Sequence, residues 1–282
     1  MISKTYKPWF PIFLLPTLIA FLIAFAIPFA LGLFLSFTEF TTVSDADFVG
    51  IANYIKIFND DSDFLNSLWF TVKFTAVSVI SINLIAFSLA LMLTRTVPGT
   101  KLFRTVFFMP NLIGGIVLGY IWQVIINGIL YNFNYSITSN PDYGFWGMVV
   151  LMNWQMIGYM MIIYIAGIQN IPGDILEAAR VDGAGSFTTL RKIIIPSVMP
   201  SVTICLFLTI TNSFKIFDQN LALTAGAPSG RTKMVALDIY ETFYSRNGYE
   251  GVGQAKAVIF FIIVAVIALF QLRLTRRKEV EN

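Results

Sequence analysis

The chain has 282 residues, 56% of them hydrophobic and only 12% charged, with a mean hydropathy of +0.73. Soluble domains carry about 25% charged residues, so the composition is that of a polytopic membrane protein. With no His and a single Cys, zinc sites, Cys–His catalysis and an intrachain disulfide are set aside; the net charge of +3 matters less than where the charges fall.

A hydrocarbon core of about 30 Å needs about 20 apolar residues per helix. Six segments qualify, at roughly 11–37, 67–93, 106–126, 146–168, 194–217 and 256–274. The first is too long for the apolar region of a signal peptide and lacks a small-x-small cleavage site. It contains Pro11, Pro16 and Pro28, and is expected to be a membrane helix bent at Pro28. Cys205 lies inside the fifth segment and reads as a small packing residue.

The loops sort by charge. Lys4 and Lys7 precede the first span, and the loop after it carries Asp45, Asp47, Asp60, Asp61 and Asp63 against Lys56. The next loop carries Arg95, Lys101 and Arg104, and residues 127–145 contain no basic residue. Arg180, Arg191 and Lys192 lie between spans four and five, and Arg273, Arg276, Arg277 and Lys278 lie at the end of span six and in the tail. The positive-inside rule puts both termini and the loop around Arg180 in the cytoplasm. The expected fold is all-α: one membrane domain over 1–282, with a core at 65–275 and the first helix and outer loop at 1–64. No G-x-x-x-x-G-K occurs, so any ATPase is another polypeptide.

The loop between spans four and five is the most patterned part of the chain. Pro172-Gly173 ends the preceding segment, Asp174 suits an N-cap, and Glu177 follows in a capping-box position. A helix is expected from Ile175 to Asp182, with Gly183 and Gly185 allowing a sharp turn and Pro196 restarting the chain as a membrane helix. Ile175, Leu176, Ala179 and Val181 give it an apolar surface, and the small Ala178 and Ala179 permit close approach of a partner. The plainer alternative is a capped amphipathic connector with no partner.

Polar residues gather in two spans. Asn153, Trp154, Gln155 and Tyr159 lie in the fourth, with Gln155 and Tyr159 on one face. Thr209, Asn212, Ser213 and Ile216 follow the i, i+3, i+4, i+7 pattern of one face in the fifth. Neutral hydrogen-bonding groups and aromatic platforms can line a water-filled cavity; equally, such residues can be interhelical glue worth about 0.6–2 kcal/mol each. Trp154 reads as an interfacial or packing aromatic, and Met152 and Met156 as packing residues or cavity lining. Lys73, Lys215 and Asp218 lie in or near apolar spans, where charge faces protein or water. Lys215 and Asp218 either pair on one helix face or line a substrate path, and Lys73 can snorkel outward.

Glu177-Ala178-Ala179, then Gly183, Ile193 and Pro196, resembles the EAA signature of ABC-importer permeases, with Ile195 where that family usually has Leu. Phe107-Phe108-Met109-Pro110-Asn111, Asn212-Ser213-Phe214-Lys215-Ile216-Phe217-Asp218 and Leu223-Thr224-Ala225-Gly226-Ala227-Pro228 resemble segments of its carbohydrate-uptake class. Within that class the chain is similar to MalF-like subunits, without their extra helices and large insertion. Ala225 and Ala227 replace the more usual glycines. The likeness covers roughly residues 10–275.

The resemblance implies a type I importer permease of a bacterial or archaeal cell membrane. Glu177, Ala178, Ala179, Asp182, Gly183 and Gly185 would form a cytoplasmic coupling helix docked into an ATPase. Cargo contacts carried over by position fall on Met152, Gln155, Met156, Tyr159, Thr209, Asn212, Ser213 and Ile216, with Lys215 and Asp218 on the pathway. The implied partners are a second permease, two ATP-binding subunits, an external solute-binding protein and a sugar, in a lipid bilayer and without nucleic acid. No cofactor is expected in this chain, since ATP and Mg would be bound by the ATPase. The acidic outer loop and 219–254 are the candidate surfaces for the binding protein. Rival readings are an ion-coupled secondary transporter, which would need carboxylates deep in the spans, a membrane enzyme, or a permease for a polyol, glycerol phosphate or amino acid. A phosphorylated cargo would call for several basic residues in the cavity, and Lys215 alone is thin support.

Overall fold

The computed structural model describes residues 10–59, 62–94 and 98–276. Lys4, Lys7, Asp60, Asp61, Arg95, Arg277 and Lys278 lie outside the described residues. The elements in order are α1 (Phe10–Phe21), α2 (Ile27–Leu35), β1 (Thr38–Glu39), β2 (Asp47–Phe48), α3 (Ala52–Asn59), α4 (Ser62–Leu93) and α5 (Thr100–Phe108). They continue as α6 (Gly115–Tyr131), α7 (Pro141–Gln169), α8 (Gly173–Val181), α9 (Ser186–Thr189), α10 (Ile195–Ser197) and α11 (Met199–Phe214). The last three are α12 (Asp218–Leu223), α13 (Val235–Ser245) and α14 (Glu250–Arg276).

Among the described residues, four continuous stretches are long and apolar enough to cross a membrane: Ile12–Leu35, Asp63–Leu93, Pro141–Gln169 and Glu250–Arg276. The other two expected spans are broken. Thr100–Leu112 meets Gly115–Tyr131 at 103°, and Ser186–Ser197 meets Met199–Phe214 at 68°. The segments 106–126 and 194–217, expected as spans three and five, each overlap one of these bent pairs. The first break is a 3₁₀ turn at Met109–Leu112, followed by extended backbone at Ile113 and Gly114. Pro110 cannot donate to the helical ladder, so the Phe107–Asn111 segment forms a corner instead of opening a span.

Prolines leave a second signature. Leu22–Ala26 and Leu190–Ile194 are both π-helical turns, each ending two residues before a proline, Pro28 or Pro196. In each the next amide reaches back five residues, Ile27 N–H to the Leu22 carbonyl and Ile195 N–H to the Leu190 carbonyl. A proline ring crowds the carbonyl four residues earlier, and widening that turn relieves it. The bend expected at Pro28 is therefore a widened turn in a continuous span. Pro196 lies inside a helical leg that already begins at Ser186, so it does not restart the helix.

The chain divides into two compact units. The first comprises residues up to Ser62 with Ile239–Phe261. Here β1 and β2 pair antiparallel, Thr38 opposite Phe48 and Glu39 opposite Asp47. Buried Asn53 donates to the carbonyls of Ser36 and Thr38, at 3.1 and 2.8 Å. Between the strands, Asp45 accepts from the Thr41 hydroxyl and from the Thr41 and Thr42 amides, which holds its carboxyl down at about 2.

The second unit runs from Asp63 to Asp238 and from Ile262 onward. Its axis is α7: 67% of the apolar window of that helix is buried, against 28% for α4. The core gathers Phe74, Ile82, Leu118, Met148, Leu151, Met152, Met160 and Leu223. The α5 corner packs so closely on α7 that a Cβ on Gly158 would overlap the Phe107 carbonyl oxygen. Cys205 is buried, as expected, with its thiol 3.8 Å from the Met160 carbonyl.

Candidate functional site

Two parts of the second unit hold the residues singled out by the sequence. The first is the connector after α7. Pro172, with extended torsions, takes the flanking position, so α8 starts at Gly173 and no side chain caps it. The expected Asp174–Glu177 capping box is absent; Asp174 instead sits in the first turn, where its charge favours the positive end of the helix dipole.

The C-terminus of α8 is built as expected around Gly183, whose φ is +73°. Its amide donates to the Arg180 carbonyl at 3.1 Å, and the Ala184 amide to the Ala179 carbonyl at 2.9 Å. Those two bonds form a Schellman motif, which requires a left-handed residue at this position. Gly185 departs from expectation: its φ of −68° is ordinary extended backbone, open to any residue.

The connector presents apolar surface. Ala179 is buried, while Glu177, Ala178 and Asp182 are exposed. Val181 is 87% and Phe187 74% exposed. Ile175, Ala178 and Ala179 line an open groove of about 510 Å³ whose other wall includes Lys192 and Ile193.

The second part is a cleft of about 190 Å³. Met152, Gln155 and Met156 of α7, Asn212 of α11, and Lys215 and Ile216 beyond it all line this cleft. Asn111, from the corner, and Gln219, from α12, complete it. Sequence reasoning quoted Asn111 only as part of a motif and missed Gln219. The signal for Gln219 was Gly115 and Gly119, a small-xxx-small pair that lets a helix approach closely. Added Cβ atoms there would lie 2.7 Å from the Cβ atoms of Asp218 and Ala222, so α12 rests directly on α6.

Gln155 is the pivot of the cleft. Its Nε2 donates to the Ile113 carbonyl at 3.5 Å, a group freed by the helix break, and its Oε1 accepts from Gln219 Nε2 at 2.9 Å. Asn212 is exposed and bonds only along its own helix, to the Leu208 carbonyl at 2.8 Å. Asn220 anchors α12 from behind: its Nδ2 donates to the Thr232 carbonyl at 2.8 Å and to Thr224 Oγ1 at 3.0 Å, while its Oδ1 accepts from the Met234 amide at 2.9 Å. The Leu223–Pro228 segment is thereby pinned by buried Asn220, Thr224 and Thr232.

Four expected pathway residues lie elsewhere. Thr209 is buried, donates to the Cys205 carbonyl at 2.7 Å, and accepts from Asn83, which in turn takes a bond from Tyr164. Ser213 is buried, and its hydroxyl has no partner among the described residues. Tyr159 meets Phe108 edge to face at 6.4 Å. Asp218 packs by its Cβ on Gly115 and does not pair with Lys215, because α11 ends at Phe214 and α12 starts afresh at Asp218. Among the packing aromatics, Trp154 meets Trp122 edge to face at 5.6 Å. Among the described residues no three His, Cys, Asp or Glu side chains group to hold a metal ion.

The family model for the binding-protein-dependent transport system inner membrane component matches residues 95–280. The chain is 43% identical, over 97% of its length and 96% of the relative's, to the probable starch degradation products transport system permease protein AmyD of Thermoanaerobacterium thermosulfurigenes. It is 30% identical, over 97% of both chains, to the multiple sugar-binding transport system permease protein MsmF of Streptococcus mutans. Among solved structures, a bacterial ABC transporter involved in the import of the acidic polysaccharide alginate aligns with a TM-score of 0.83 at 20% identity, covering 97% of this chain and 98% of that one. Bent spans and an exposed connector thus sit on a fold that ABC importers use, and the chain belongs to the family of inner membrane components of binding-protein-dependent transport systems.

Proposed function

We propose that this permease subunit carries an uncharged oligosaccharide of the starch-breakdown kind through the cleft between α7, α11 and α12. The observation that carries the cargo class is the lining of that cleft: three neutral amide side chains, Asn111, Gln155 and Asn212, a fourth in Gln219, apolar Met and Ile surface, and a single cation, Lys215. Amides both donate and accept, as a polyol requires, whereas a phosphate would need more than one cation. The names of the relatives from Thermoanaerobacterium and Streptococcus support the same class.

On this reading α8 is the coupling helix. Exposed Val181, Ile175 and Phe187 would be covered by an ATP-binding subunit, with Glu177 and Asp182 at the rim and Gly183 fixing the hairpin. ATPase activity belongs to that separate subunit, and ATP and Mg would be held there. The charge pattern supports a cytoplasmic position for both termini and α8. A second permease, a pair of ATP-binding subunits and an external binding protein complete the proposed importer.

Tagged chain purified in mild detergent should bring down a second permease and an ATPase in a ratio of about 1:1:2, and the reconstituted complex should take up malto-oligosaccharides only with ATP and the binding protein. Uptake driven by a proton or sodium gradient without ATP would overturn this reading.

A further inference from the structure

A larger cleft, of about 560 Å³, lies between the N-terminal ends of α4 and α7 and the loop before α13. Trp69 and Trp146 line it, 62% and 56% exposed. Its charged lining is balanced: Lys73 and Arg231 against Asp63 and Asp142. Lys73 is exposed and lines the cleft, with Nζ 5.8 Å from the Trp69 ring centroid.

We propose that this cleft is a saccharide-binding site on the external face, distinct from the amide-lined cleft. The volume lies within the range of about 300–1,000 Å³ typical of small-molecule sites. Exposed indole rings offer flat apolar surface with a polar edge, which suits the C–H face of a pyranose. Carboxylate, ammonium and guanidinium groups around them match hydroxyls that both donate and accept. Because the charges cancel, nothing in the lining selects a phosphate or an acidic sugar, so the ligand is a neutral oligosaccharide. Helix α7 carries both sites: Trp146 precedes Met152 by six residues, or about 9 Å along the axis. A chain of several sugar units leaving the external binding protein would meet the tryptophans before the amides. This inference rests on the cargo class and orientation proposed above.

The test uses the whole importer in phosphatidylcholine nanodiscs, with maltose and maltoheptaose as probes. Binding is read by saturation-transfer NMR and uptake by half-saturation and maximal rate. Trp69→Ala with Trp146→Ala should weaken maltoheptaose binding about tenfold and raise its half-saturation alike. Maximal uptake rate and basal ATPase should stay at wild-type values. Trp69→Phe with Trp146→Phe, which keeps the flat rings, should restore most of the affinity. Unchanged maltoheptaose affinity in the alanine pair, alongside intact uptake, would overturn the external site and leave the cargo reading standing. A wild-type importer that neither binds nor imports either sugar would overturn both. Lipid headgroups co-purifying with wild type but lost from Lys73→Ala with Arg231→Ala, without any sugar signal, would replace the saccharide by a lipid.

Discussion

The connector at Gly183 and the cleft at Gln155 are built in opposite ways. The connector is local: its turn is closed by backbone bonds among Ala179, Arg180, Gly183 and Ala184, and most of its side chains other than Ala179 are exposed. The cleft is assembled from four separated stretches, around Asn111, Gln155, Asn212 and Gln219, and side-chain amides hold it together. A local device can be read from consecutive residues; a long-range one depends on packing between distant segments. The comparison predicts that substitutions around the cleft reach stability and cargo together, while those in the connector reach coupling alone.

The largest expected effect lies behind the cleft. Gly158→Ala places a Cβ on the Phe107 carbonyl, a backbone atom that cannot step aside without moving the corner. Overpacking of that kind costs about 3 kcal/mol. The variant should show sharply reduced yield of folded complex and a lowered midpoint in a thermal scan in detergent. A wild-type midpoint would show that α5 and α7 are not held at this spacing.

Next comes Asn220→Ala. It strips partners from the Met234 amide and the Thr232 carbonyl, both in buried surroundings. Each orphaned group costs about 1–3 kcal/mol. The same variant should also loosen Gln219 and raise the half-saturation for cargo, since α12 presents that residue to the cleft. Lost stability with unaltered half-saturation would separate the hub from the cleft.

These two positions also mark where the sequence stopped being legible. Six candidate spans, the connector and the cleft residues Gln155, Asn212, Lys215 and Ile216 follow from hydropathy, charge and i, i+3, i+4 spacing, whereas Met152 and Met156 come only from the family resemblance. The breaks at Pro110 and near Pro196 were written in the prolines, yet an apolar window does not distinguish a bent span from a straight one. Extending one helical face from Thr209 to Ile216 failed because α11 ends at Phe214, which turns Ile216 into the cleft independently of Thr209. Gln219 could be found only by asking what Gly115 and Gly119 pack against. Gly183 was legible because its whole mechanism lies within the six residues Ala179 to Ala184.

A smaller and sharper effect tests the connector. Gly183→Ala forces a left-handed backbone on a residue with a Cβ, at about 1–2 kcal/mol, although open space surrounds the position. Gly185→Ala, at φ −68° and equally open, should be silent. The first variant should reach the membrane and bind cargo normally while sugar-stimulated ATP hydrolysis falls severalfold; the second should match wild type throughout. Equal behaviour of the two would show that the turn geometry has no part in coupling.

The smallest expected effect on stability divides the cleft itself. Asn212 is exposed and bonds only to its own helix, so Asn212→Ala removes a proposed cargo contact and little else. Gln155→Ala removes the same kind of amide and also releases the Ile113 carbonyl and Gln219. Membrane interhelical hydrogen bonds average about 0.6 kcal/mol, so only Gln155→Ala should lower the thermal midpoint, and by a few degrees at most. Both should raise the half-saturation for maltoheptaose, read in the reconstituted importer at saturating binding protein. If Gln155→Ala lowers the midpoint and leaves half-saturation untouched, Gln155 is a strut of the corner and the cargo rests on Asn111, Asn212 and Lys215. If both variants raise half-saturation alike while the midpoint holds, the amide contacts the sugar directly and its bonds to Ile113 and Gln219 serve to aim it.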